Sequence, residues 1–195
     1  MTPSEVYQEV SRSVYVVRSG ETSARIGLGE GRLGSAVAIS GSLALTNCHV
    51  VKDSPEIYLH RPMGVFSAEH SFRVRVESAD ETTDRCVLRV LQSPRDELWF
   101  DAIASIRANS SVEIGERVYT IGNPQGLTNT LGDGLVSGIR ELKDLQYIQT
   151  SAPVSKGSSG GALVDAEGSL IGIMTFIIKD GQNLNFAISA DEYWR

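Results

Sequence analysis

Histidine is scarce in this chain of 195 residues: His49, His60 and His70 are the full set, so none lies in the C-terminal half. Any nucleophile placed late in the sequence must take a histidine base from the first half. Cysteine is scarcer still. Cys48 and Cys86 have no metal-ligand spacing to each other or to a histidine, so neither a zinc-type cluster nor any other metal or cofactor is expected. No apolar run is long enough to span a bilayer, and membrane insertion is not expected. Met1 leads straight into polar residues, which reads as a chain without an export signal. A formal charge of −6 argues against a nucleic-acid or anionic-membrane surface. No internal repeat is visible.

The rest of the composition is that of an ordinary soluble domain, with 41% hydrophobic and 22% charged residues. A chain of this length buries roughly 70% of its unfolded surface, enough for a core without staples. Cys48 and Cys86 are read as two small buried hydrophobes. A disulfide is the alternative, because both adjoin positions that matter below.

Gly157-Ser158-Ser159-Gly160-Gly161 puts a serine hydroxyl inside a glycine-flanked turn. Gly157 can adopt backbone angles closed to other residues, which lets amides of this turn converge beside Ser159 as an oxyanion hole. Glycine–serine turns also serve as linkers and phosphate cradles, so the turn needs a partner. It also fits the G-x-S-x-G elbow of α/β-hydrolases, but that fold needs a histidine after the serine. The order available here is His…Asp…Ser, that of chymotrypsin-type triads.

His49 ends the apolar run Leu43–Val51 and is the candidate base; Cys48 is expected on the opposite face of an extended strand. His60 and His70 lie in polar stretches and are read as solvated surface residues. The orienting carboxylate should lie between His49 and Ser159. Asp84 opens the run Asp84–Val90, and spacing alone leaves Asp80 and Glu81 as alternatives.

Short strands separated by polar turns favour an all-β barrel or sandwich. The strands predicted are 14–18, 34–40, 43–47, 56–59, 72–78, 87–91, 117–122, 134–140, 147–150, 162–164, 170–176 and 185–188. Asp165–Gly168 reads as a hairpin turn. The joint between two halves is expected near Gln92–Asn109, dividing the chain into residues 1–100 and 101–195. Thr2-Pro3-Ser4-Glu5 is a capping box with proline at the first helical position. Ser189-Ala190-Asp191-Glu192 reads as a second box, cut off so soon that an excised domain of a longer protein is suspected.

Thr46–Val51, Asp84 before Cys86-Val87-Leu88, Ile121–Leu127, Tyr147–Thr150, Gly157–Leu163 and Asn185–Ile188 occur in the order found in trypsin-like proteases. The chain resembles the HtrA/Deg type of that family from about residue 4 to residue 190. The resemblance implies two six-stranded Greek-key β-barrels packed at right angles, with short N- and C-terminal helices. It favours Asp84 over Asp80, because the family's aspartate stands directly before that strand. It implies catalytic His49, Asp84 and Ser159, with oxyanion amides from Gly157, Ser158 and Ser159. Substrate would pair with Met174-Thr175-Phe176-Ile177 as an added strand, and Val154 and Asn185 would help to line the pocket for the residue before the scissile bond. No acidic residue stands in residues 153–157, 174–177 or 184–187, so small or medium apolar side chains fit better than lysine or arginine there.

The expectation is therefore a serine endopeptidase working on polypeptides through an acyl-enzyme. The alternatives are an inactive protease-fold scaffold, or a chaperone-like binder of unfolded chains. Gly126–Gly134 and Val154–Gly157 are expected to be the movable loops. Arg85, Ser158, Ser151 and Ala162 depart from the usual family pattern, and Asn185 stands where many relatives have glycine. By the same resemblance the N-terminal part would support a homotrimer, through Val6, Tyr7 and Val10. A PDZ domain or helical repeats would follow, and the bacterial periplasm would be the compartment.

Overall fold

The computed structural model describes residues 1–62, 67, 70–92, 100, 102–123, 129–155, 157–177 and 184–194, with the side chains of Gln92, Phe176 and Ile177 set aside. Among the described residues twelve strands form two closed antiparallel barrels. The first holds β1 (Val14–Gly20), β2 (Arg32–Ala38), β3 (Leu43–Thr46), β4 (Glu56–His60), β5 (Phe72–Asp80) and β6 (Arg85–Gln92). The second holds β7 (Arg117–Gly122), β8 (Thr130–Leu142), β9 (Leu145–Thr150), β10 (Ala162–Asp165), β11 (Leu170–Ile177) and β12 (Asn185–Ser189). Around the first barrel the order is β1-β2-β3-β6-β5-β4, and the second repeats it as β7-β8-β9-β12-β11-β10. This Greek-key order appears twice although the sequence shows no repeat.

The alternating side chains of a strand explain how the two barrels share a core. On β2 and β3, Ala36, Ala38 and Ala44 point into the first barrel, while Val37 and Leu45 point at the second. On β7 and β10, Val118 and Leu163 fill the second barrel, while Tyr119, Ile121, Ala162 and Val164 face the first. Strands apolar on both sides read as continuous hydrophobic runs. Each fully buried Val, Leu or Ile there contributes about 1.5–3 kcal/mol. In the first barrel Tyr15, Phe72 and Phe100 stack edge-on or tilted, with centroids 4.8–5.7 Å apart.

The chain passes from one barrel to the other through a ladder of backbone bonds. Ala104 N–H donates to Ala38 O at 2.8 Å and Arg107 N–H to Leu170 O at 2.9 Å. Residues 93–99 and 101 of the expected joint lie outside the described residues.

α1 (Pro3–Val10) begins with the capping box expected from sequence: Thr2 Oγ1 accepts from Glu5 N–H, and Thr2 N–H donates to Glu5 Oε2 at 2.7 Å. Val6 and Val10 are buried in the chain's own shared core, while Tyr7 is half-buried. The hairpin turn at Asp165–Gly168 also forms, with Gly168 N–H donating to Asp165 O at 3.1 Å.

α2 (Ser23–Gly27), capped by Thr22, lies where no element was expected. Four expectations are corrected. His49 lies on one turn of helix, α3 (Cys48–Val51), so the extended-strand argument about Cys48 fails. Residues 130–134, read as a movable loop, form the first part of β8 (residues 126–128 of that loop lie outside the described residues). His60 is buried, only 7% exposed. Its Nε2 accepts from Arg18 Nε at 3.3 Å and its Nδ1–H donates to Arg61 O at 3.1 Å. The second capping box does not form. Ala190–Trp194 is a 3₁₀ turn in which Glu192 instead accepts from Gln146 N–H at 3.3 Å.

Candidate active site

The chain leaves β3 at Thr46 and turns through α3, presenting His49 to solvent with half of its side chain exposed. Opposite stands Asp84, in the left-handed region at φ 61° directly before β6. Aspartate is among the few non-glycine residues enriched there. This turn aims one carboxylate at two donors on the same residue. Asp84 Oδ1 accepts from His49 N–H at 2.8 Å, and Oδ2 lies 2.7 Å from His49 Nδ1. The carboxylate therefore accepts a hydrogen bond from Nδ1–H, and in the neutral ring this tautomer makes Nε2 the acceptor.

Two fasteners hold this pair. Asn47 Nδ2 and Cys48 N–H both donate to Asp84 O at 3.3 Å. Cys48 and Cys86 are joined by a disulfide with their Cα atoms 4.9 Å apart, which corrects the reading of two free hydrophobes. The pairing follows from register: Thr46 on β3 sits opposite Cys86 on β6, so Cys48, two residues past Thr46, comes within bridging reach of Cys86.

Asp80, the alternative carboxylate, is engaged elsewhere. It accepts from Thr82 Oγ1 at 2.6 Å, Thr83 N–H at 3.3 Å and Arg85 Nη2 at 3.0 Å. These bonds, the Thr82 hydroxyl first, hold its carboxyl well below the usual carboxylate range. Arg85 also donates to Thr83 Oγ1 at 2.9 Å and to the backbone carbonyl of Glu192. It thereby ties the turn carrying Asp84 to the end of the chain.

Ser159 comes from the second barrel. Its hydroxyl donates to Thr175 O at 3.3 Å, and among the described residues it makes no bond to His49. Thr175 sits at a β-bulge of β11, where the register with β12 shifts between Met174 and Phe176. The bulge re-aims its side chain, as bulges do, and Thr175 Oγ1 donates to Asp84 Oδ2 at 3.2 Å. Ser159, Thr175, Asp84 and His49 thus form one connected chain across both barrels.

The turn before Ser159 is held by a backbone bond. Ser158 N–H donates to Ser155 O at 3.0 Å, and Gly157 has φ 98°, in the left-handed region that favours glycine. Gly160 N–H and Gly161 N–H are also engaged, with Met174 O and Ser158 O at 2.8 Å each. The N–H groups of Gly157 and Ser159 donate to no acceptor among the described residues.

The expected substrate residues fall into two kinds. Met174 is buried and both its backbone groups bind the nucleophile turn, through Gly160 N–H and Gly161 O. Val154 is half-buried against the core of the second barrel. Asn185 is buried and donates from Nδ2 to Ala152 O at 2.8 Å. The side chain of Phe176 and residue 156 lie outside the described residues. Among the described residues no cluster of His, Cys, Asp and Glu could hold a metal. Sequence reasoning missed the Thr175 hydroxyl and Ser35, since neither carries a local signal.

Comparison with known proteins agrees with this architecture. The family described as the trypsin-like peptidase domain matches residues 34–173. A protein named putative serine protease HhoA, from Synechocystis, is 32% identical over 169 residues, covering 82% of this chain and 40% of that protein. Mitochondrial serine protease HTRA2 of Bos taurus is 34% identical over 81% of this chain and 33% of its own length. The chain thus spans less than half the length of these relatives. Among solved structures, the HtrA-type protease AlgW with tripeptide superposes with a TM-score of 0.82 at 28% identity, covering the whole of this chain and 62% of that one. The chain belongs to the trypsin-like peptidase family and is a protease domain of HtrA type.

Proposed function

We propose that the chain is a serine endopeptidase that cleaves polypeptides through an acyl-enzyme. The observation that carries this reading is the continuous contact from His49 through Asp84 and Thr175 to Ser159. Ser159 attacks the scissile carbonyl after its hydroxyl leaves Thr175 O for His49 Nε2. His49 takes the proton and returns it to the leaving amine, and Asp84 holds the ring and its charged form. The developing oxyanion is received by the N–H groups of Gly157 and Ser159, each supplying about 2.7–4 kcal/mol in the transition state. Ser158 N–H serves the turn itself, because it is bonded to Ser155 O.

The substrate lies against Thr175–Ile177 as an added strand. The pocket for the residue before the cut is narrowed by Asn185, whose amide is anchored to Ala152 O. With no acidic group in those segments, Val, Ala and Leu are the side chains that fit it best. A homotrimer built on the N-terminal helix would have to use Tyr7, since Val6 and Val10 are already buried within the chain.

The test is intact-mass analysis after treatment with a fluorophosphonate, alongside Ser159→Ala. One adduct on the parent chain and none on the variant is the expected result. No adduct on folded parent protein would sink the reading.

A further inference from the structure

Ser35 lies on β2 of the first barrel, fully buried, and touches the nucleophile turn of the second barrel with two groups. Its backbone N–H donates to Ser159 O at 2.8 Å, and its Oγ donates to Gly157 O at 3.1 Å. One residue therefore grips the carbonyls on both sides of the Ser158–Ser159 segment. A trans peptide is planar. Fixing the Gly157 carbonyl therefore fixes the Ser158 N–H on the opposite side of that peptide, where it meets Ser155 O.

The polarity of the hydroxyl is also set. A serine hydroxyl has one proton to give and two lone pairs. Asn123 N–H donates to Ser35 Oγ at 3.0 Å and Asn123 Nδ2 approaches it at 3.4 Å. The hydroxyl must then spend its proton on Gly157 O. Asn123 is itself buried, with Nδ2 donating to Tyr15 O at 3.3 Å and Oδ1 accepting from Asn129 N–H at 3.1 Å. Thr46 Oγ1 donates to Ser35 O at 2.7 Å, which fixes the backbone of Ser35 from β3.

We infer that Ser35 is a positioning residue for the oxyanion hole: its hydroxyl, oriented by Asn123, holds the Gly157–Ser158 peptide so that the Gly157 and Ser159 amides converge. This rests on the serine-protease reading above. Ser35 touches no reacting atom, so its removal should slow the chemical step and leave substrate binding nearly intact.

The experiment measures phosphonylation by an alkyl fluorophosphonate, whose oxygen sits where the oxyanion would, for the parent chain, Ser35→Ala and Ser35→Cys. Maximal rate and half-saturating concentration are separated, and thermal melting shows which variants are folded. For Ser35→Ala the maximal rate should fall between about 10-fold and 100-fold, below the ~10²–10³ of losing a hole donor outright. Half-saturation should stay within about twofold. Ser35→Cys, with a weak donor of similar size, should fall between the two, and it carries the test if the alanine variant does not fold. An unchanged maximal rate in a folded variant overturns the inference while leaving the protease reading intact. A parent chain with no Ser159-dependent labelling overturns both.

Discussion

Thr175 donates its hydroxyl proton to Asp84 Oδ2 at 3.2 Å, so a residue of the second barrel orients the carboxylate of the first. The same oxygen lies 2.7 Å from His49 Nδ1. Thr175→Val keeps the shape and removes the donor. Asp84 is about a third exposed, so water partly replaces the bond and the loss should be near 1 kcal/mol. The expected outcome is a drop of about 3- to 10-fold in the maximal rate of Ser159 labelling, with little change in melting temperature. A rate equal to that of the parent would show that the bond is incidental.

The Cys48–Cys86 bridge closes a loop with a sequence separation of 38. Chain entropy alone assigns such a loop about 4 kcal/mol of stabilisation. Reduction, or the double change Cys48→Ala and Cys86→Ala, should therefore lower the melting temperature by on the order of 10 °C. Melting curves with and without a phosphine reductant check this. Equal curves would mean that the bridge contributes nothing to stability.

Stability should fall in two separate steps on acidification. Burial, with a smaller push from Arg18, holds the His60 imidazole below its ordinary value. The Thr82 and Thr83 donors and Arg85 hold Asp80 low as well. In both cases the unfolded chain binds the proton first as pH falls. Stability is thus full above the unfolded value and lost on the way down to the folded one. His60 contributes the decline beginning near pH 6.5, and Asp80, with Glu77 and Glu116 also held low by arginines, contributes to the one beginning near pH 4, from unperturbed values of about 6.5 and 3.9 for His and Asp. Melting temperatures from pH 8 to pH 3 should flatten in the upper window for His60→Gln and in the lower for Asp80→Asn. Slopes identical to the parent in those windows would refute the assignment.

The proposed pocket makes Asn185 the expected point of control for substrate size. Asn185→Gly removes the side chain anchored to Ala152 O, opening the pocket. A peptide library should then shift from Val and Ala towards Leu and Phe before the cut, with a modest loss of stability from the unpaired carbonyl. An unchanged preference would place the specificity elsewhere.

Much of this molecule was legible from short strand-like runs between polar turns. The twelve strands of the described residues were expected, because a half-buried strand writes period two into its sequence and a strand buried on both faces writes a short apolar run. The start of β8 was missed because Gly132 and Gly134 look like loop residues. A side chain at Gly134 would collide with the Ala152 backbone. Those glycines mark a close approach inside a sheet. The meeting of His49 with Asp84 followed from family resemblance, whereas spacing left Asp80 open. Ser35 and the Thr175 hydroxyl were illegible, since their contacts join residues 122 and 91 positions apart. The burial of His60 was hidden by polar neighbours in sequence, although it lies on β4 within the first barrel and bonds Arg18 on β1. The cysteine bridge needed the β3–β6 register, which composition does not reveal.

The bridge encloses everything from His49 to Asp84 within a covalent ring. A backbone cut anywhere inside that ring would leave two fragments still fastened to each other, with His49 one residue past one anchor and Asp84 two before the other. Nicked protein would therefore migrate as intact on a non-reducing gel, and come apart only when the sulfurs are reduced.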